Sequence, residues 1–421
     1  MDYTNSTSYC EPSTSAVTLD SPPKCIASST APNSSLKDSG AFFRDSRICP
    51  DGSCLLASAD DRSLSLICLP QTESELFSPP SSITPTWKHE PSDSLLSYDW
   101  YPGASSSNPS MFAFAVGVKD HPIHLLDGND RRIRASYPIV DHTERFVAPT
   151  SMRFSPDGSS LYCGFENAIE IFDVSRPGEE GFRMKTVPSR SSRSGQKGLI
   201  STLDFSPGSS PDSTFLAAGS FTGTIGLYDT SSSTPLVGLL PSSHRGGITK
   251  ILFHPTIPHL LFAASRQSEY MEVFDLRNLA LEPIKLERKG KTNQRLGFDL
   301  DPTGTWLMTG DQNGSLSFFD TSFLAYSDTS VPLSPTHRHS ISAEPVGACF
   351  FHSRFATTGQ IVTCSGTRKF PLQSRRESTR CAADSDESSE EDSSAHESEE
   401  AVAAAGNRDD GKHSLQVFQF S

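Results

Sequence analysis

Short apolar runs and turn sequences alternate along most of the chain in one repeated order. A turn of the type [Ser/Cys/His/Asp]-Pro-x-Gly comes first, then an apolar run, a second turn and an alternating strand. The order reads at Cys49–Leu69, Ser155–Val174, Ser206–Thr230, His254–Leu276 and Asp301–Thr321. Degenerate copies occupy Trp100–Asp127 and a segment that begins at Phe351 and finishes at Ser414–Phe420. The proline presets φ and the glycine supplies a positive φ, so the chain reverses between a first and a second strand. Runs such as Phe215–Ala218 are small and apolar, as a strand buried between neighbours requires. Ile169–Phe172 alternates, which predicts a half-exposed third strand. The turns between second and third strands, Asp60–Asp61, Glu166–Asn167, Thr222–Gly223 and Gln312–Gly314, are rich in residues that tolerate tight reversal.

The aspartates that close the copies measure the period. Asp127, Asp173, Asp229, Asp275 and Asp320 are separated by 46, 56, 46 and 45 residues. A WD-type blade of four strands needs roughly 40–45 residues, and the long interval contains the Ser/Arg-rich loop 188–198. A two-sheet sandwich also has short strands, but not this turn order at this period. The predicted fold is therefore all-β, a seven-bladed WD-repeat β-propeller whose ring closure protects the strand edges. The expected organisation is a Ser/Thr/Pro-rich head over 1–40 that lacks order, propeller blades over 41–373, an acidic low-complexity insertion over 374–412 that also lacks order, and a final strand over 413–421. The insertion then splits the seventh blade, and 414–420 pairs with a strand near Ile361–Ser365. Cys25–Ser29 is a candidate outer strand for closing the ring.

Composition sharpens this picture only locally. Of 421 residues 35% are hydrophobic and the net charge is −14, yet nine acids and no Lys or Arg lie between Asp384 and Glu400. The acidic balance thus describes mainly the insertion. Nine cysteines show no C-x-x-C pair. Those in apolar runs, Cys54, Cys68, Cys163 and Cys364, read as buried hydrophobes in a reducing compartment. Neither a membrane-spanning run nor a signal-peptide core is present in the sequence, so a soluble intracellular protein without membrane contact is expected. Phosphate-binding, nucleophile-elbow, zincin and dinucleotide motifs are lacking, which argues against an enzyme and against any cofactor or metal. His121 and His124 read as structural or surface residues. His244, in His-Arg-Gly-Gly, reads as a structural histidine just before an inner strand.

Five segments are more specific than the repeat itself: NQRLGFDLDPTG at Asn293–Gly304, GGITKILFHP at Gly246–Pro255, HPIHLLD at His121–Asp127, FSPDGSSLYCGF at Phe154–Phe165 and ICPDGSCLLAS at Ile48–Ser58. In this order, with Arg176–Gly178 after the third blade, the chain resembles the telomerase Cajal body protein family, also described as WD-repeat proteins encoded antisense to p53. The resemblance covers roughly 41–371 and the last strand. It implies a non-enzymatic RNA-binding scaffold that recognises small Cajal-body RNAs or telomerase RNA and directs their ribonucleoprotein to its nuclear site. Distant fungal relatives point instead to spliceosomal small nuclear RNA. Expected partners are one of these RNAs and ribonucleoprotein proteins, with a monomeric propeller in the nucleus, in the Cajal body or its equivalent, and also in the cytoplasm. The alternative is a WD-repeat platform for protein partners, for example in splicing-complex assembly, without RNA contact.

An RNA reading needs cations on one rim. Arg62, Lys119, Arg266 and Arg368 fall in or beside turns between second and third strands. Arg145, Arg193, Lys197, Arg245, Lys291 and Arg295 fall in connections between blades. Arg193, Lys197, Arg245, Lys291, Arg295, Arg266, Arg368 and Arg62 are the candidate RNA contacts. Asp60, Asp61, Asp120, Glu144, Glu269 and Asp311 share these loops, as a mixed solvated rim would. Ser385 and Ser388, set among acids, are candidate sites for acidophilic kinases.

Overall fold

A computed structural model describes residues 17–30, 42–70, 80–189, 192, 194–208, 215–230, 235–240, 242, 246–279, 281–326, 331–367 and 414–420. Seven sheets form the ring with the first strand of each innermost: six are four-stranded antiparallel meanders, and the seventh has four antiparallel strands plus the short Ser81–Ser82, which pairs parallel to its outer edge. The inner strands, in blade order, are Phe43–Ile48, Leu95–Trp100, Ser151–Phe154, Ile200–Phe205, Ile248–Phe253, Phe298–Leu300 and Val346–Phe351. A meander places its first and third turns at one end, here called the lower rim. The second turn and the connection to the next blade lie at the other end, the upper rim.

Second strands are buried apart from the first residue of some of them, because neighbouring blades cover both faces. Cys54–Ala59, Ala113–Val118 and Leu260–Ser265 are buried at every position. The apolar clusters are correspondingly shared between adjacent blades: Ala217, Ile225 and Leu227 of blade four pack with Ile248, Ile251, Phe253 and Leu261 of blade five. Burial of this surface is the main favourable term holding blade to blade. Cys54, Cys163 and Cys364 are buried as expected, whereas Cys68, at the end of a strand, is exposed beside Thr86.

The seventh blade closes the ring from both ends of the chain. Gln360–Ser365 pairs with Ser414–Gln419, aligning Ile361 with Phe418 and Cys364 with Leu415. Ser414–Gln419 in turn pairs with Lys24–Thr30, which becomes the outer strand. The propeller therefore begins inside the segment read as the head. Ile26 and Ala27 are buried against Ile67, Leu69, Val362 and Val417, a larger apolar contact than the Ser-rich composition suggested. The acidic stretch and both candidate phosphorylation sites, Ser385 and Ser388, lie outside the described residues.

Two polar devices fix the ring. The closing aspartates accept the N–H two residues on, Asp127 from Asn129 at 2.9 Å and Asp320 from Ser322 at 2.8 Å, which initiates the third turn. Inside the channel, alternate blades contribute an aspartate to the inner strand of the next blade. Asp99 accepts from the Phe154 N–H at 3.2 Å, Asp204 from Phe253 at 2.8 Å and Asp299 from Phe351 at 2.9 Å. Arg47, Arg153 and Lys250 stand between them, with Arg47 2.8 Å from Asp99, Arg153 3.1 Å from Asp204 and Lys250 3.9 Å from Asp299.

Candidate nucleic-acid interface

The upper rim is built from seven second turns and the connections between blades. Six of those turns hold one residue in the left-handed region: Arg62 at φ 74°, Asp120 at 59°, Asn167 at 57°, Gly223 at 86°, Gln267 at 56° and Gly314 at 79°. Four of the six are not glycine, so these turns store modest strain that a Cβ-free residue would relieve. Arg62, Lys119, Lys197, Arg145 and Lys291 are exposed on this rim. Several rim cations are neutralised where they stand. Lys291 lies 3.1 Å from Glu269, Lys119 3.5 Å from Asp120, and Lys88 3.0 Å from Asp61. Lys197 is set by its backbone, whose carbonyl accepts from the Ser220 and Thr222 hydroxyls. Arg193, Arg245, Arg368 and His244 lie outside the described residues.

Around the mouth of the central channel the arrangement differs. The inner strands of five blades carry a β-bulge near the top, so the residues between the paired positions, among them Arg44 and Leu96, are turned out of the ladder. Arg44 is exposed, and its Nη2 donates to the Leu95 carbonyl of the next blade at 2.9 Å. Arg266 and Arg295 approach the half-buried ring of Phe221, their guanidinium carbons 5.0 and 5.8 Å from its centroid. Gly246 and Gly247 permit this approach. A Cβ on Gly246 would lie 2.1 Å from the Arg266 carbonyl oxygen, and one on Gly247 would lie 2.8 Å from the Phe221 carbonyl oxygen. The GGIT motif is thus a requirement of close backbone packing between blades four and five.

Electrostatically the mouth is unbalanced. Among the described residues no carboxylate lies within ion-pair distance of Arg44, Arg266 or Arg295. Burial pulls the Arg295 guanidinium below the usual arginine range; Asp45 opposes this, while Arg266, Arg44 and Arg47 reinforce it. Arg266 Nε is buried with no hydrogen-bond partner among the described residues. Guanidinium planes beside an aromatic ring can hold a phosphate oxygen and stack an unpaired base.

The structure therefore brings together two of the sequence candidates, Arg266 and Arg295, and adds Arg44 and Phe221. Sequence reasoning missed Arg44 because the bulge breaks the alternation that would place it. Phe221 was missed because a lone aromatic in a turn carries no periodic signal. Among the described residues no group of three or more His, Cys, Asp or Glu is placed to hold a metal ion. No helix among them is long and apolar enough to cross a membrane.

A closed ring of seven four-stranded blades with these turns defines a WD-repeat β-propeller protein, and residues 189–229 match the family model described as WD domain, G-beta repeat. Within that class the chain is a homologue of the telomerase Cajal body proteins. It is 34% identical over 335 residues to Telomerase Cajal body protein 1 of Mesocricetus auratus, covering 78% of this chain and 59% of that protein. It is 29% identical over 347 residues to the Drosophila melanogaster Telomerase Cajal body protein 1 homolog, covering 77% and 60%. It is also 29% identical over 283 residues to the Schizosaccharomyces pombe protein named Guanine nucleotide-binding protein negative regulator 1, covering 65% and 69%. The chain spans about 60% of the length of the telomerase Cajal body relatives.

Proposed function

We propose that the chain is a non-enzymatic nuclear scaffold that binds single-stranded loops of small RNAs at the mouth of its channel and carries their ribonucleoprotein to a Cajal body or equivalent site. The observation that carries this reading is the pair Arg266 and Arg295 at Phe221, with Arg44 elsewhere on the same mouth; none of the three has a carboxylate partner among the described residues, although rim cations nearby have them. Unneutralised cations are what a polyanion requires, and counterion release on binding rewards them. The names of the relatives favour telomerase RNA or a Cajal-body RNA as the ligand class. Fold alone would not separate this from a platform for protein partners.

Crosslinking in cells that express the full chain, followed by RNA sequencing, tests the proposal. Enrichment of telomerase, Cajal-body or spliceosomal small nuclear RNA is expected, with crosslinks on peptides that contain Phe221, Arg266 or Arg295. Recovery of protein partners without crosslinked RNA would replace the scaffold for RNA with one for proteins.

A further inference from the structure

Beneath the channel mouth sits a cation that the RNA reading does not use directly. Arg288 follows the outer strand Ile284–Glu287 of blade five and is only 2% exposed. Its Nη1 donates to the Leu296 carbonyl at 3.0 Å and its Nη2 to the Ser265 carbonyl at 3.1 Å. Its Nε is buried and without a partner among the described residues. None of the described carboxylates is within ion-pair distance of it. Burial brings the guanidinium down to about 10, with Cys349 and Asp311 opposing the shift, so it stays charged at neutral pH. A buried charge without an opposite charge is costly, and an apolar side chain of similar volume would fill the space more cheaply.

The two carbonyls give this placement a meaning. Leu296 directly follows Arg295, and Ser265 directly precedes Arg266. One planar fork therefore spans the two backbone segments that present the arginine pair. The same segments are joined by further contacts. The Arg288 N–H donates to the Glu269 carbonyl at 2.7 Å and the Gln267 N–H to the Thr292 carbonyl at 3.1 Å. Gly290 passes so close to the turn that a Cβ would lie 2.5 Å from the Ser268 carbonyl oxygen.

We infer that Arg288 is the positioning residue of the channel-mouth site: its fork holds Arg266 and Arg295 at a fixed separation before any ligand arrives. The inference rests on the proposed RNA-binding reading for its purpose, but not for its geometry. Lysine keeps the charge yet offers no rigid fork, so it separates the two contributions. A preorganised site loses affinity when its support loosens, even if every contacting side chain remains.

Two measurements on the full chain decide the matter. In hydrogen–deuterium exchange without ligand, Arg288→Met and Arg288→Lys should both accelerate exchange in the turn 265–269 and the connection 291–297 together, and leave the lower rim unchanged. In binding to a single-stranded uridine oligomer, both variants should weaken affinity by about tenfold, the size of one lost charge-assisted hydrogen bond. Arg288→Met should add nothing further when Arg266 and Arg295 are already alanine, because it acts through them. An undiminished tenfold loss in that background, or no change in exchange at the two segments, overturns the inference. Global unfolding of both variants also overturns it, since Arg288 would then be a stability residue. If the parent chain fails to bind the oligomer, the RNA reading falls, while the exchange measurement still decides the role of Arg288.

Discussion

On the lower rim, the first turns are relaxed and stapled to their neighbours, and the left-handed Arg131, at φ 64°, lies in a third turn. His352 donates from Nε2 to the Gly52 carbonyl at 2.9 Å while its Nδ1 accepts from the Arg354 N–H, and His254 repeats the arrangement with Gly304 at 2.8 Å. Left-handed positions in the first turns, at Gly52, Gly158 and Gly304, are all glycine. On the upper rim, the left-handed positions include Arg62, Asp120, Asn167 and Gln267, and the channel mouth gathers arginines that have no carboxylate within ion-pair distance among the described residues. Both rims hold the same seven blades, so the strain and charge of the upper one are not imposed by the fold. Local departures of this kind concentrate where a protein meets a ligand.

Gly52 lies at φ 73°, and a Cβ there would sit 2.4 Å from Ser353 Oγ and 2.8 Å from His352 Nε2. Gly52→Ala should cost roughly 2–3 kcal/mol of stability, combining backbone strain with loss of the staple. Its melting temperature should fall while RNA affinity, measured well below that temperature, stays at the parental value. An unchanged melting temperature would show that the lower turns are not closely packed.

His352→Ala should cost about 1–2 kcal/mol, since it removes the buried hydrogen bond between its ring and the Gly52 carbonyl. It also carries a pH signature. Burial holds His352 and His254 below the usual histidine range, against the opposing pull of the carbonyls they donate to. The unfolded chain then binds protons that the folded chain does not, so stability falls as pH drops below about 6.5. Denaturant titrations from pH 7.5 downward should give a shallower fall for His352→Ala than for the parent. Equal slopes would remove His352 from the account of the lower rim.

The smallest effect is on the upper rim. Arg62→Gly should leave stability unchanged or raise it by up to about 1 kcal/mol, because glycine removes the left-handed strain at some cost in chain entropy. A clear loss of stability would mean that the Arg62 side chain is structural and the comparison between rims is overdrawn.

The seven blades were legible because a propeller repeats its grammar. Pro-x-Gly turns at Cys49–Gly52 and Asp301–Gly304 and the closing aspartates are local devices, readable without tertiary context. Even the split closure could be read, since 414–420 supplies the closing strand that the degenerate copy beginning at Phe351 lacks. The candidate site was half legible. Arg266 and Arg295 were flagged by type and loop position, but sequence does not show that Lys291 meets Glu269 while Arg266 and Arg295 meet Phe221. That distinction depends on side chains from different blades, brought together by ring closure. Arg44 was hidden by a one-residue bulge. Arg288 was hidden because a basic residue after an outer strand reads as solvated, when here it turns inward between two blades.

We propose that the channel-mouth arginines Arg266 and Arg295 hold RNA phosphates. The most direct test is the salt dependence of single-stranded RNA affinity for the parent, Arg266→Ala and Arg295→Ala, with folding checked by thermal melting. Each substitution should weaken binding by roughly 1–3 kcal/mol. Each should also flatten the slope of log affinity against log salt by about 0.7 per lost phosphate contact. Folded variants that bind RNA with the parental affinity and the parental slope would contradict the claim.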